Sequence, residues 1–136
     1  MIKKYILSGE DFSMAGGASS DLKSVLKKLG VSSEAIRRVS VAMYEAEINT
    51  IIHGGGGECE ADITSSAVTM IFTDNGPGIA DVSLAMQEGY STASDEVREM
   101  GFGAGMGLPN MKKYTDEMEI STEPGKGTRL KLVVNL

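Results

Sequence analysis

Features that the chain lacks exclude several classes of protein. It holds one cysteine, Cys59, among 136 residues, so no internal disulfide can form. It has no tryptophan and 5% aromatic residues, and no apolar run approaches the roughly 18 residues of a membrane-spanning helix. It has 13 basic residues against 19 acidic ones. The basic pairs Lys27-Lys28, Arg37-Arg38 and Lys112-Lys113 are isolated from one another, unlike the basic patch of nucleic-acid-binding proteins. We expect a soluble cytoplasmic protein that binds neither nucleic acid nor membrane, with Cys59 as a buried apolar residue.

Hydrophobic periodicity predicts helices and strands in a defined order. The predicted helices are 14–29, 32–53 and 106–115, and the predicted strands are 2–8, 58–64, 67–73, 117–123 and 127–135. The glycines at 54–57 are predicted to form a flexible connection, and the polar segment at 80–100 to be mobile. Strands grouped in hairpins favour an α+β fold, with a mixed, mostly antiparallel sheet and the helices on one face.

Glycine is abundant, with 17 residues, and it alternates through GFGAGMG at 101–107. The spacing excludes the dinucleotide fingerprint, because Met106 or Leu108 stands where its third glycine belongs. No Gly-Lys pair has the spacing of a P-loop. Backbone N–H groups at the start of the following helix could bind phosphate, and glycines would let the anion approach. A hinge before a packed helix would use the same residues, so both interpretations stay open.

Glu45 and Asn49 lie four residues apart in a predicted helix and therefore share one face. The amide oxygen of Asn49 could ligate a hydrated Mg²⁺ ion, which prefers oxygen ligands and keeps several waters. The carboxylate of Glu45 could accept a proton from an attacking hydroxyl or water. A polar pair on a solvated helix face would show the same spacing.

The stretch TDNGPGI at 73–79 directly follows an apolar strand. Asp74 at the strand end could accept a hydrogen bond from the exocyclic amine of a purine. Gly76 and Gly78 would let the ring lie against the backbone. An ordinary turn is built from the same residue types.

Three motifs in this order resemble the nucleotide-binding boxes of the GHKL ATPase and kinase superfamily, which includes gyrase B, histidine kinases and MutL. They are Glu45-x-x-x-Asn49, Asp74-x-Gly76-x-Gly78 and Gly103-x-Gly105-x-Gly107-Leu108. The segment PGKGT at 124–128 is similar to the final hairpin of that group. The small size and the short segment before the glycine run look most like the bacterial anti-sigma factor serine/threonine kinases of the SpoIIAB, RsbW and RsbT type.

The resemblance implies a Bergerat-type two-layer sandwich, formed as one domain over 1–136, that binds ATP with Mg²⁺. It implies that Glu45 is the catalytic base, Asn49 the metal ligand and Asp74 the adenine reader, with Thr128 assisting at the adenine. The implied ATP-binding residues are Asn49, Asp74, Gly76, Gly78, Gly103, Ala104, Gly105, Met106, Gly107, Leu108 and Thr128. Thr50 departs from the family pattern, which has alanine there.

The function implied by the resemblance is that of an ATP-dependent protein-serine kinase and anti-sigma-type switch. Its acceptor would be a serine on a STAS-domain antagonist protein, and the resemblance leaves open a sigma factor and a second copy of the chain as further partners. An ATP-gated binding module, or a weak ATPase without protein phosphorylation, is the alternative. A histidine-kinase fragment ranks last, because Glu45 stands where those proteins typically carry asparagine. The sole histidine, His53, is interpreted as a structural residue near the site.

Overall fold

A computed structural model describes residues 1–9, 15–76, 107–123 and 125–136. The elements are β1 (Ile2–Ser8), α1 (Gly17–Lys28), α2 (Ser33–Ile52), β2 (Gly56–Ile63), β3 (Ala67–Asp74), α3 (Gly107–Tyr114), β4 (Glu117–Glu123) and β5 (Gly127–Asn135). They follow the predicted order and confirm the α+β class. The predicted mobile segment at 80–100, Gly78 and the residues from Gly103 to Met106 lie outside the described residues. Within the described part of the chain, no helix is long and apolar enough to cross a membrane.

The five strands form one sheet in the order β1-β2-β3-β5-β4. Every pairing between the described strands is antiparallel, so this sheet is antiparallel rather than mixed. The hairpins β2–β3 and β4–β5 meet where β5 pairs with β3. That pairing makes β3 the central strand and leaves β1 at one edge of the sheet.

The helices cover one face of the sheet, and the hydrophobic core lies between the two layers. On β3, the buried side chains of Val68, Met70 and Phe72 alternate with less buried ones, as expected for a strand with one covered face. The apolar stripe of α2 packs against them, and all its members are buried: Ile36, Val39, Met43 and Ala46. The other face of the sheet carries no helix among the described elements.

Helix α2 begins and ends with hydrogen bonds that satisfy its terminal backbone groups. The hydroxyl of Ser32 accepts from the backbone N–H of Ala35 at 3.3 Å, the expected N-cap interaction. At the other end, the carbonyl of Asn49 accepts from the N–H groups of His53 at 2.9 Å and Gly54 at 3.2 Å. The chain therefore leaves α2 in a fixed direction, toward the end of β3.

Helix α1 begins at Gly17, three residues later than predicted, and it is capped from outside its own sequence. The buried carboxylate of Glu47, on α2, accepts from the backbone N–H groups of Gly16 at 2.9 Å, Ala18 at 3.2 Å and Ser19 at 3.0 Å. Those N–H groups have no partner within the helix. The start of α1 is therefore tied to the middle of α2.

The predicted flexible connection at 54–57 is partly wrong, because β2 begins at Gly56. Gly57 pairs with Asp74 in the sheet, and a Cβ atom there would overlap the carbonyl oxygen of Thr73. Gly56 has a φ of 100°, and a Cβ atom there would lie 2.7 Å from the carbonyl oxygen of Leu7. These two glycines allow close approach of strands rather than flexibility.

Candidate functional site

The predicted site residues that the structure describes fall into two groups joined by α2. Asp74, Gly76 and Thr128 lie at the end of β3. Glu45 lies in the middle of α2, beside the start of α3. Glu45 precedes Ile52, the last residue of α2, by seven residues, or about 10 Å along the helix axis.

Asp74 places a buried carboxylate at the end of an apolar row. It continues the alternation of Val68, Met70 and Phe72 on the helix-covered face and is 7% exposed. Its Oδ1 atom accepts from the backbone N–H of Gly76 at 2.9 Å. A carboxylate at the end of a core strand, with acceptor capacity beyond this one bond, suits a ligand that brings its own N–H donors.

Glycines surround Asp74, and we call Gly54, Gly76 and Gly127 the glycine cradle. A Cβ atom on Gly54 would lie 2.6 Å from Oδ2 of Asp74, and one on Gly76 would lie 2.7 Å from the carbonyl oxygen of Gly54. Gly127 has a φ of 97°, and a Cβ atom there would overlap the carbonyl oxygen of Asp74. Only Gly76 is among the site residues predicted from the sequence. The cradle keeps side chains away from the carboxylate, as a flat ring lying against it requires.

Thr128 lies directly opposite Asp74 in the β3–β5 pairing. It is 8% exposed, and its hydroxyl lies 3.0 Å from the hydroxyl of Thr122, its partner on β4. Residues opposite one another in an antiparallel pair point to the same face. The sheet therefore holds Thr128 beside Asp74, with Thr122 as a supporting residue that the motifs do not indicate.

The Glu45 side chain lies against the first turn of α3. Its Oε1 atom accepts from the Nδ2 atom of Asn110 at 3.3 Å, and its Oε2 atom would lie 3.7 Å from a Cβ atom on Gly107. Gly107 is the last glycine of the run at 101–107, so the predicted base sits at the described end of that run. Asn110 is not a predicted site residue, and it is separated from Glu45 by 65 positions.

Asn49 and Leu108 occupy different environments at the two helices. Asn49 is half-buried one turn after Glu45. The side chain of Leu108 is 6% exposed and packs in the hydrophobic core. Any contact of Leu108 with a ligand would therefore come from its backbone.

Burial and hydrogen bonding explain the positions of three further residues, His53, Cys59 and Thr50. The C-cap residue of α2, His53, is half-buried, and burial lowers the pKa of its imidazole below 6.5. Burial raises the pKa of the Cys59 thiol to about 12, which keeps it protonated and unreactive, as predicted. The hydroxyl of Thr50 donates to the carbonyl of Ala46 at 2.9 Å, and its methyl group faces Gly57, which explains how the larger side chain fits.

The polar groups at the candidate site can be compared with those that ATP and Mg²⁺ require. A buried carboxylate and a cradle free of Cβ atoms fit a base that presents an amine. Within the described ranges, no three His, Cys, Asp or Glu side chains are grouped to hold a metal ion. Asn49 offers one amide oxygen, which fits an ion that takes its other ligands from phosphates and water.

A cleft of about 490 Å³ lies at the opposite end of the sheet, lined by both chain ends and the β2–β3 turn. Its residues include Met1, Leu29, Val31, Ile63 and Leu136. It contains none of the predicted site residues. We therefore place the candidate site at the Asp74 end, where the buried carboxylate and the cradle lie.

Comparison with known proteins identifies the family. Residues 13–134 match the family described as histidine kinase-like ATPase domain. The chain is 36% identical over 110 residues to an anti-sigma F factor of Thermoanaerobacter sp. (strain X514), covering 77% of this chain and 73% of that protein. It is 30% identical over 115 residues to the serine/threonine-protein kinase RsbT of Bacillus subtilis (strain 168), covering 82% and 80%.

A solved structure supports the same fold. The crystal structure of the RsbU and RsbW domains of a Mycobacterium tuberculosis protein superposes with a TM-score of 0.66 at 17% identity. It covers 98% of this chain and 32% of that longer one. The predicted membership in an ATPase and kinase superfamily is confirmed: the chain belongs to the histidine kinase-like ATPase domain family.

Proposed function

We propose that this chain is an ATP-dependent protein-serine kinase that acts as an anti-sigma-type regulatory switch. It binds ATP with Mg²⁺ and transfers the γ-phosphoryl group to a serine on a STAS-domain antagonist protein. A sigma factor is the second partner, which the chain holds once phosphorylation has released the antagonist. The single observation that carries the catalytic part is the Glu45 carboxylate, held beside the start of α3 by Asn110.

The adenine end of the site is the Asp74 carboxylate within the glycine cradle. The exocyclic amine of adenine donates a hydrogen bond to Asp74, and Thr128 assists from the neighbouring strand. Guanine carries an oxygen where adenine carries this amine, so a carboxylate at this point discriminates against it. The buried position strengthens the discrimination, because an unpaired buried acceptor is costly.

The phosphate end of the site lies between α2 and α3. Phosphoryl transfer needs mainly positioning and electrostatic stabilisation from the protein. Asn49 would hold the Mg²⁺ ion, which would supply positive charge against the phosphates, and the glycine run before α3 would supply backbone N–H donors. Glu45 accepts the proton of the attacking serine hydroxyl. Its hydrogen bond from Asn110 fixes the carboxylate orientation without supplying a proton.

The regulatory part of the proposal draws on the relatives. One is named an anti-sigma F factor and another a serine/threonine-protein kinase. The first name describes a binding function and the second a transfer function. The binding function favours one alternative, an ATP-gated module that changes its affinity for a partner without phosphorylating it.

Phosphorylation of purified partners separates the two functions. The purified chain is incubated with Mg²⁺-ATP and each STAS-domain protein encoded by the source organism, and phosphoserine is mapped by mass spectrometry. The kinase proposal predicts one stoichiometric phosphoserine on one of these proteins. ATP-dependent binding without phosphoserine would replace the kinase by the ATP-gated module.

A further inference from the structure

Helices α1 and α3 both run antiparallel to α2. The start of α1 is bound by Glu47, late in α2, and the end of α1 leads through 29–32 into the start of α2. The start of α3 lies beside Glu45, whereas Tyr114, the last residue of α3, lies beside Arg37. The carboxyl ends of α1 and α3 therefore lie next to the start of α2, at the end of the helical layer away from Asp74.

This arrangement brings together the three basic pairs that are isolated in the sequence. They occupy the last turn of α1, the second turn of α2 and the last turn of α3. We call them the basic end: Lys27, Lys28, Arg37, Arg38, Lys112 and Lys113. All of these side chains except Arg38 are exposed. In a chain whose net charge is −6, this end is opposite in sign to the molecule as a whole.

The ring of Tyr114 lies under two cations of the basic end. The Cζ atom of Arg37 lies 5.6 Å from the ring centroid and the Nζ atom of Lys113 lies 5.5 Å from it, both within the range of cation–π interaction. Among the ion pairs of the described residues, the pair Arg38–Asp116 is the one that belongs to the basic end. Its other cations are therefore available to carboxylates of another chain.

The cleft of about 490 Å³ opposite the candidate site lies at this same end. Its lining residue Leu29 directly follows the basic pair of α1. Another lining residue, Leu136, follows Asn135, whose backbone N–H donates at 2.7 Å to the carboxylate of Asp116, the ion-pair partner of Arg38. Basic pairs of α1 and α2 therefore border the cleft.

Large hydrophobic side chains are exposed around the cleft. Three of the six such side chains in the described part of the chain line it, namely Met1 at 61%, Leu29 at 50% and Leu136 at 43% exposure. Val31 and Ile63 complete the apolar lining. A concave surface with clustered exposed apolar side chains is typical of a binding site.

We propose that the cleft and the basic end together bind an acidic amphipathic helix of a partner protein. Apolar side chains one turn apart on that helix enter the cleft, the usual mode for a helix in a groove. Its carboxylates pair with exposed cations such as Lys28 and Arg37. Nucleic acid would meet the cations but has no apolar side chain for the cleft, and a flat bilayer surface does not complement a concave one.

This inference does not rest on the proposed kinase function, because no residue of the ATP site takes part. The docking surface and the candidate site lie at opposite ends of α2. A partner held at the basic end therefore leaves the Asp74 end accessible.

Fluorescence anisotropy with two labelled peptides tests the proposal on the full chain. The probe is an acidic helix of about 16 residues of glutamate, alanine and leucine, with its leucines on one face. The comparison peptide has the same composition, with leucines spread around the helix. The probe is expected to bind at least about tenfold more tightly, since buried apolar anchors dominate such interfaces. Equal affinity of the two peptides, or no binding of the probe, would overturn the proposal.

Two variants separate the apolar and the charged contributions. Leu29→Asn removes an apolar contact and should weaken probe binding by about tenfold without changing its dependence on salt. The double variant Lys28→Gln with Arg37→Gln should weaken it by about tenfold and also reduce its salt dependence. Circular dichroism checks that each variant is folded.

The matched control is Lys4→Gln, an exposed lysine on the face of β1 turned away from the helices. It should leave probe affinity unchanged, and a loss equal to that of the double variant would overturn the proposal by showing that position is irrelevant. Phosphatidylglycerol vesicles and single-stranded DNA are tested in parallel. Binding of either one more tightly than the probe would assign the surface to that occupant and overturn the proposal.

Discussion

Among single residues, Asp74 has the most specific environment in the candidate site. Asp74→Asn replaces one acceptor oxygen by a donor amide, which opposes the amine of adenine. We expect ATP binding to weaken by about 1–3 kcal/mol, measured by calorimetry, with GTP binding much more weakly than ATP to the unaltered chain. Asp62→Asn, the same change on β2 at the far end of the sheet from Asp74, should leave ATP affinity unchanged. Equal affinities of the unaltered chain for ATP and GTP would refute the role of Asp74.

Gly54 lies against the carboxylate of Asp74, although no motif in the sequence indicates it as a site residue. Gly54→Ala adds a Cβ atom 2.6 Å from Oδ2 of Asp74, so the carboxylate must move. We expect ATP affinity to fall by roughly the same 1–3 kcal/mol as when a buried hydrogen-bonding partner is lost, with the fold retained by circular dichroism. Gly17→Ala, where a Cβ atom meets nothing within 4 Å, should leave ATP affinity unchanged. Unaltered ATP affinity in Gly54→Ala would show that Asp74 tolerates displacement.

His53 gives the chain a defined pH response. Burial lowers its folded-state pKa below the 6.5 of the ordinary imidazole. As pH falls below about 6.5, His53 becomes protonated in the unfolded chain while it remains neutral in the folded chain. The free energy of unfolding therefore decreases until the pH passes the folded-state pKa. His53→Gln should remove this part of the decrease, measured by urea unfolding between about pH 7 and pH 5. Because His53 is the sole histidine, its ring protons report the pKa by NMR, and a midpoint at or above 6.5 would contradict the account.

The candidate site residues proposed from the sequence are those within local motifs. Asp74 follows an apolar strand directly, and Glu45 and Asn49 are one helical turn apart; these patterns left an ordinary turn and a solvated polar pair open, and the family resemblance supplied the roles. Gly54 and Asn110 act through contacts with residues far along the chain. No local pattern marks such contacts, because they depend on how α2 is placed against β3 and α3.

At the level of elements, α1 and α2 are joined by one carboxylate. Glu47→Gln retains the shape of the side chain but loses the charge that three backbone N–H groups share at the start of α1. We expect a loss of about 1–3 kcal/mol in the free energy of unfolding, as for hydrogen bonds to charged groups. Urea unfolding measures it, with the α2 variant Glu34→Gln as an exposed control. Faster hydrogen exchange of the Ala18 and Ser19 amides should accompany the loss, and unchanged stability would show that the cap contributes nothing.

The type of each helix and strand could be predicted because its apolar residues recur with a clear helical or strand periodicity. The residues at which the elements begin and end were harder to predict. The start of α2 was predicted correctly because Ser32 is a local cap. The start of α1 was misplaced because its cap, Glu47, comes from another helix. The start of β2 was misplaced because Gly56 and Gly57 look like turn residues, although the neighbouring strands require glycine there.

For the whole molecule, the layered α+β arrangement followed from the order of elements, but the strand order did not. β5 lies between β3 and β4 because residues from 67–74 pair with 128–135, a pairing that depends on the complete sheet. The consequence for function is that Thr128 reaches Asp74 only in this topology.

Glu45 and Asn49 lie on one face of α2 and have different proposed roles, so their substitutions should have different effects on ATP binding and on phosphoryl transfer. Asn49→Ala removes the amide oxygen that is proposed to hold Mg²⁺, so Mg²⁺-dependent ATP affinity and phosphoryl transfer should fall together. Glu45→Gln keeps the size of the side chain and its acceptor oxygen toward Asn110 but loses the proton acceptor. ATP binding should persist in Glu45→Gln.

The rate of phosphoserine formation on the STAS-domain acceptor by Glu45→Gln, measured together with calorimetry of its ATP binding, decides whether Glu45 is the base. The proposed role of Glu45 as the base predicts unchanged or slightly tighter ATP binding, with transfer lowered by about 10²–10⁴-fold, the usual contribution of a positioned base. Transfer within a few-fold of the unaltered chain would contradict it, because Glu45 would then not be the base of a serine kinase.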